Sequence, residues 1–245
     1  FDTKQMQALE TPLGLTARWC FWYDTQMKYW LTALMVIMIA PSVYGFSPTV
    51  TQTSVPYEVV STKDNVRQSQ EYLGELEGFP VMYELTSDEP FTLQAYVRQK
   101  YRPGTDPLPL SLIAIRQNQR GGGVTEIARL TPESAQWQPV KSSALGITLL
   151  QSSLLSAQVE PGTYRIEIST PENAGKYLLT FGAEDSDDAY FAQLGGVWRT
   201  QQFFGYSFMR MLASSFVYYP LGILLLLFII QRGWKYRTLV THNDT

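Results

Sequence analysis

The sequence predicts an all-β exterior domain of the β-sandwich or jelly-roll type, followed by a C-terminal transmembrane α-helix. Two observations lead to this prediction. Short β-prone segments with alternating apolar residues recur between Gly and Pro turns over residues 79–181. Residues 211–230 are twenty uncharged residues, of which twelve are Leu, Ile, Val or Phe. A second apolar segment near the N-terminus predicts a signal peptide or a further transmembrane helix.

The N-terminal apolar segment is organised like a secretory signal peptide. Met27 and Lys28 resemble an initiation residue and a short basic region, and residues 30–40 form an apolar core. Val43 and Gly45 stand at the −3 and −1 positions of a cleavage site. We therefore predict a signal peptide over residues 27–45, with a retained transmembrane helix as the alternative. Residues 1–26 are an upstream or cytoplasmic segment of unclear status.

Residues 46–184 are predicted to form the exterior domain. Tyr164, Ile166 and Ile168 alternate with Arg165 and Glu167, which is the period of a half-buried strand. A polar stretch, residues 47–67, is expected to be an extended lead-in strand with a loop. The predicted strands are residues 79–85, 91–97, 110–115, 124–130, 147–150, 154–159, 163–169 and 176–181.

The last two predicted strands carry motifs that resemble a known family. The run Pro161-Gly162-Thr163-Tyr164, followed by Gly175-Lys176-Tyr177-Leu178-Leu179, is similar to the end of bacterial pre-peptidase C-terminal domains. The resemblance implies a non-catalytic β-sandwich module in an uncharacterised single-pass envelope protein. That family's usual Asp-Leu-Tyr strand is replaced here by Leu110-Ser111-Leu112-Ile113, so no metal or ligand role is carried over.

The residue types that support catalysis are scarce in the exterior domain. The single histidine is His242, and the single cysteine, Cys20, precedes the domain, so His-based triads, His metal sites and Cys catalysis are excluded there. Most of the glutamates at 71, 75, 77, 84 and 89 adjoin turn residues and are expected to be solvated. We predict no catalytic residues, no cofactor and no enzyme activity. A net charge of −3 gives no reason to expect nucleic acid as a partner.

An acidic cluster precedes the membrane-proximal segment. Asp185, Asp187 and Asp188 could hold Ca²⁺ through oxygen ligands, but a hydrated acidic linker is the favoured interpretation. No metal site is otherwise predicted.

The segment 185–210 is rich in aromatic residues and lies next to the apolar segment. Aromatic side chains commonly occupy the headgroup level of a bilayer, so we predict an interfacial helix. A surface that docks a partner helix is the alternative. The predicted partner-contacting or membrane-contacting residues are Trp198, Phe203, Phe204, Tyr206 and Phe208.

A transmembrane helix is predicted over residues 211–231. Its aliphatic residues and Phe favour insertion by about 4 to 7 kcal/mol, and twenty helical residues cross a hydrocarbon core about 30 Å thick. Arg210 flanks one end, and Arg232, Lys235 and Arg237 flank the other. The positive-inside rule then places the tail, residues 232–245, in the cytoplasm and the main domain outside the plasma or inner membrane.

These features predict a membrane-anchored, non-catalytic β-sandwich of the cell envelope that binds or supports a surface partner. The lipid bilayer is its first expected partner, and an envelope protein or a polysaccharide is the second. The alternative is an accessory subunit of a membrane complex, which docks through its juxtamembrane segment and its transmembrane helix. A membrane-bound hydrolase is less favoured, because no motif singles out a nucleophile.

Overall fold

The computed structural model describes residues 47–240, except residues 54, 64, 118–122 and 185–188, and it describes side chains up to residue 233. The chain divides into two compact units, Phe1–Pro41 and Ser42–Thr245, and every described residue lies in the second unit. The predicted N-terminal segment, the signal peptide and the candidate calcium ligands Asp185, Asp187 and Asp188 therefore lie outside the described residues.

In the described part of the chain, twelve strands form two mixed sheets, in agreement with the predicted all-β domain. The first sheet has the order β1-β3-β12-β5-β9-β8, with β10 also paired to β5. Its strands are β1 (Thr49–Thr51), β3 (Gln70–Glu77), β5 (Phe91–Lys100), β8 (Gln138–Ser142), β9 (Ile147–Gln151), β10 (Leu155–Val159) and β12 (Ala174–Phe181).

The second sheet has five strands in the order β2-β4-β11-β6-β7. The edge strands β1 and β2 run parallel to their neighbours β3 and β4, whereas the other pairs are antiparallel. The strands are β2 (Val59–Ser61), β4 (Val81–Ser87), β6 (Ser111–Gln117), β7 (Val124–Leu130) and β11 (Gly162–Ser169).

The main core lies between the inner faces of the two sheets. Strand β5 alternates between buried and half-buried residues over its full length, as a strand with one face on a core must. The largest side chains of this core are aromatic and come from both sheets, which makes the domain a sandwich. They are Tyr83 from β4, Tyr164 from β11, and Tyr177 and Phe181 from β12.

Strand β3 was not predicted, and the expectation that its glutamates are solvated is wrong for Glu71. Glu71 is only 10% exposed and lies 3.7 Å from Arg98, which is 15% exposed. Gly74 interrupts the strand pattern because the Tyr177 ring packs over it, and a Cβ there would lie 2.3 Å from that ring. Glycine in the middle of a strand is an unfavourable signal, but here it marks a close approach.

Three helical elements follow the sandwich. They are α1 (Tyr190–Phe203), a 3₁₀ helix (Phe208–Ala213) and α2 (Ser215–Val240). The predicted transmembrane helix therefore begins four residues later than expected, because residues 208–213 adopt the tighter 3₁₀ geometry. Within the described residues, α2 is long and apolar enough over Ser215–Gly233 to cross a membrane, and none of that segment is buried.

Candidate functional site at the base of the apolar helix

Helix α1 covers the outer face of the seven-stranded sheet. Its buried residues follow the i, i+3, i+4, i+7, i+8 spacing of one helix face. The residues of this buried stripe are Gln193, Gly196, Val197, Thr200 and Gln201.

A second hydrophobic cluster fills the space between α1 and the sheet. Val197 packs there against Leu73 of β3 and Leu178 of β12, and all three are fully buried. Strand β12 is consequently buried on both faces from residue 177 to residue 181. A helix thus lies within the segment predicted to be interfacial, and one of its faces packs against the sandwich.

The buried stripe is largely polar, which is why apolar periodicity did not reveal it. The side-chain amide of Gln201 donates to the carbonyl of Leu145 at 2.6 Å, and the Thr200 hydroxyl donates to the carbonyl of Gly196 at 2.9 Å. These bonds lower the cost of burying polar groups. The signal that could have identified the docking face lies in the strands, since Tyr72-Leu73 and Leu178-Leu179 each place apolar residues on both faces.

A Schellman arrangement around Gly205 ends α1. Gly205 has a φ of +71°, in the left-handed region that favours glycine. Its amide donates to the carbonyl of Gln202 at 2.9 Å, and the amide of Tyr206 donates to the carbonyl of Gln201 at 2.8 Å. The turn directs the chain away from the helix axis into the 3₁₀ segment.

Two lysines of the sheet bind the last carbonyls of α1. The Lys100 ammonium donates to the carbonyl of Phe204 at 2.6 Å, and the Lys176 ammonium donates to that of Phe203 at 3.4 Å. Each lysine also lies over an aromatic ring, 4.6 Å from the centroid of Tyr206 and 4.9 Å from that of Phe203. Burial raises the pKa of the Tyr206 hydroxyl, although nearby arginines oppose the shift. Cations at a helix C-terminus interact favourably with its dipole, so the lysines fasten this end of α1 to the sheet.

The turn between β8 and β9, residues 143–146, is hydrogen-bonded to the segment that begins α2. These bonds join the sandwich directly to the base of the apolar helix. They run from Arg210 Nε to Gly146 O at 3.2 Å, from Ser214 Oγ to Ala144 O, and from Ser215 N to Ser143 O at 2.9 Å.

Two close contacts complete the junction. Gly146 has a φ of +65°, and a Cβ on it would lie 2.6 Å from the carbonyl carbon of Ala213, so the two backbones meet where only glycine fits. The Tyr190 hydroxyl donates to the carbonyl of Phe216, which connects the start of α1 to the start of α2. Burial raises the pKa of that tyrosine.

The five aromatic residues predicted to contact a partner or a membrane differ in their environments. Phe204 is 4% exposed and packs in the cluster under α1, so it faces the sandwich. Phe203 and Tyr206 are half-buried against the same cluster. Trp198 is half-buried, and its ring meets the exposed ring of Phe208 edge to face at a centroid distance of 5.3 Å.

The predicted anchor flanks lie at the two ends of the apolar region. Arg210 is exposed within the 3₁₀ helix, and Arg232 is exposed near the end of the apolar segment. The side chains of Lys235 and Arg237 lie outside the described part of the chain.

A separate cleft opens where the edge strands β1 and β2 leave the sandwich. It has a volume of ≈ 560 Å³ and is lined by residues 49–53, residues 58–63 and Tyr72. Half of its twelve lining residues are threonine, serine or glutamine, three are valine, and Glu58 and Lys63 are charged. Among the described residues, no group of three or more His, Cys, Asp or Glu side chains could hold a metal ion.

Comparisons with known proteins return a similar domain among solved structures. No protein-family model matches this sequence, and no curated protein matches it. Among solved structures, the pre-peptidase C-terminal domain of collagenase from Bacillus anthracis is similar, with 12% identity and a TM-score of 0.32 over 53% of this chain and 98% of that one. The matched domain is of the same kind as the one that the motifs within residues 161–179 resemble, and the match says nothing about ligand or activity.

Proposed function

We propose that this protein is a membrane-anchored, non-catalytic β-sandwich of the cell envelope that supports or binds a surface partner. The observation that carries the proposal is the hydrogen-bonded junction between the 143–146 turn and the base of α2. A domain on a loose tether would need no such contact. A domain fixed to its anchor presents the same surface at a constant height above the bilayer, which suits a support or docking role.

The proposed topology places the sandwich outside and the C-terminal tail in the cytoplasm. Arg232, Lys235 and Arg237 follow the apolar segment closely, and basic residues near a span favour the cytoplasmic side. In this topology the N-terminal apolar segment directs export, and it is then either cleaved or retained as a second helix. N-terminal sequencing of the mature protein distinguishes the two, since cleavage gives a start at or near Phe46.

The cleft beside β1 and β2 is the proposed binding surface. Its threonine, serine and glutamine side chains can form hydrogen bonds with a polysaccharide or with an extended segment of an envelope protein. Lys63 contributes a cation to it and Glu58 an anion, so a partner that carries both charges, or neither, fits better than a strongly charged one.

The test is affinity capture of the full-length protein from detergent extracts of its own membranes. We expect a specific partner to be recovered with the wild-type chain and to be lost when the exposed lining of the cleft is altered by Thr49→Arg. Val124→Arg, on an exposed strand at the edge of the other sheet, is the matched control. Repeated recovery of the chain alone, as a monomer, would contradict the proposal.

A second function is favoured by the exposed apolar residues beside α2. Phe191 and Phe208 are each 63% exposed on the helical segment, which suits an accessory subunit that docks on another membrane protein. Replacing residues 215–233 with an unrelated apolar helix separates the two functions. Loss of the partner would favour the accessory subunit, and retention would leave the sandwich as the binding element.

A further inference from the structure

We propose that the 3₁₀ helix Phe208–Ala213, together with the Trp198 ring, is immersed in the headgroup layer of the same bilayer that α2 crosses. The inference rests on the proposed membrane anchoring. It keeps Trp198 and Phe208 from the predicted interfacial residues and assigns the main lipid contact to the 3₁₀ helix. The buried face of helix α1 packs against the sheet, whereas the 3₁₀ helix has no buried residue.

The apolar side chains of this short helix are turned away from the protein. Phe208 is 63% exposed, Met209 is 68% exposed and Leu212 is 48% exposed. Three such residues within five positions form a continuous apolar surface, which soluble surfaces rarely leave open to water. The neighbouring Trp198 extends the surface through its ring contact with Phe208.

The position of the helix in the chain identifies lipid as the occupant. Leu212 lies three residues before Ser215, where the apolar segment begins. At about 2 Å of rise per residue, Met209 lies no more than about 12 Å along the chain from that point. The polar layer on each side of the hydrocarbon core is about 5 to 8 Å thick, so Met209 stays within that layer when the 3₁₀ helix runs at a shallow angle to the membrane surface.

The surrounding chemistry fits a headgroup layer. Tryptophan and other aromatic residues favour this zone because one part of the side chain is apolar and another is polar. Arg199 and Arg210 are exposed beside Trp198 and Met209, where a guanidinium can meet lipid phosphates. The bonds from the 143–146 turn to Arg210 and Ser214 then bring that turn of the sandwich to the same level.

Spin-label accessibility in proteoliposomes tests this inference. Cys20 is the only cysteine, so Cys20→Ser gives a background for single labels. Met209→Cys and Leu212→Cys report on the 3₁₀ helix, Leu225→Cys on the apolar segment, and Val124→Cys on the exposed sandwich surface. All four sites are exposed, so the labels need not disturb packing.

The measured quantity is the ratio of the label's collision rate with oxygen to its collision rate with a water-soluble nickel complex. We expect this ratio to be severalfold higher for the labels at 209 and 212 than for the label at 124. Their immersion depth should lie between those of the labels at 124 and 225. If the labels at 209 and 212 have the same collision ratio as the label at 124, while the label at 225 lies in lipid, this inference is overturned and the anchoring stands. A label at 225 that also matches 124 would overturn the anchoring and the inference together.

Discussion

Individual tyrosines at the centre of the sandwich combine apolar burial with a paired hydroxyl. Tyr83 and Tyr177 are fully buried, and their hydroxyl oxygens lie 3.0 Å apart. Gly74 makes this possible, because any side chain there would collide with the Tyr177 ring. The hydrogen bond offsets the cost of burying two polar groups between the sheets.

The buried hydroxyls predict a loss of stability at high pH. Burial raises the pKa of Tyr83 from 10.0 to about 12. Between these two values the folded state binds more protons than the unfolded state, so the free energy of unfolding falls as the pH rises above 10. The slope is about 1.4 kcal/mol per pH unit for one tyrosine. Denaturant unfolding of the full chain in detergent, between about pH 8.5 and about pH 11, measures it.

The variant Tyr83→Phe removes this titrating group, so we expect its stability to decline less steeply between about pH 10 and pH 11. Tyr57→Phe is the control, since Tyr57 is 76% exposed. Identical slopes for Tyr83→Phe and the wild type would contradict the assignment.

Residue-level signals explain both what sequence could predict and what it could not. The alternation at Tyr164, Ile166 and Ile168 predicted β11 because each of these residues faces one core. Strand β3 was not predicted because Gly74 and the surrounding glutamates interrupt its apolar pattern. The glycine is needed for packing against a tyrosine about a hundred positions away in the chain, which a local pattern does not reveal. Burial of Glu71 beside Arg98 depends on strand register, which no local pattern reveals.

At the level of elements, contacts with the sheet stabilise α1 more than interactions within the helix do. Its N-cap residue, Ala189, makes no side-chain cap, and its first turn has no acidic residue. Its stability therefore comes from the Val197 contacts, the Gly205 turn and the two lysines. The aromatic content of the segment predicted a helix. The face that packs against the sheet could not be predicted, because Gln193, Thr200 and Gln201 on that face are polar.

The lysines at the end of α1 give a test of this docking. We expect Lys100→Met to keep the packing of the alkyl chain and to lose the bond to the Phe204 carbonyl. The loss should cost about 0.5 to 2 kcal/mol, which raises amide exchange in the last turn of α1 several-fold. Hydrogen exchange of the full chain in detergent measures it.

Lys141→Met is the matched control for that experiment, because Lys141 is an exposed residue of β8. We expect it to leave exchange in α1 unchanged. Equal protection of the last turn in Lys100→Met and the wild type would show that packing alone holds the helix end.

For the whole molecule, the important relation is between the sandwich and its anchor. The length and composition of the apolar segment predicted a helix, and the structure has one. The junction could not be predicted, because it joins a hairpin turn to residues about seventy positions later in the chain. Its bonds are formed largely by backbone carbonyls, which every sequence possesses.

Gly146 provides the test of whether this junction fixes the sandwich to α2. Gly146→Ala places a methyl group 2.6 Å from the Ala213 carbonyl carbon and strains a backbone with a φ of +65°. Gly104→Ala imposes the same kind of strain, at a φ of +74°, but its Cβ meets nothing within 4 Å. Both variants should lose about 1 to 2 kcal/mol from backbone strain, so a difference between them isolates the junction.

The measurement is the distance distribution between spin labels at Val124→Cys and Tyr219→Cys, in the Cys20→Ser background and in a bilayer. We expect a narrow distribution for the otherwise unaltered chain and for Gly104→Ala. Gly146→Ala should broaden it, because the displaced turn no longer bonds Arg210, Ser214 and Ser215. A distribution that stays narrow in Gly146→Ala would mean that α1 alone orients the sandwich, through its lysines and the Val197 cluster.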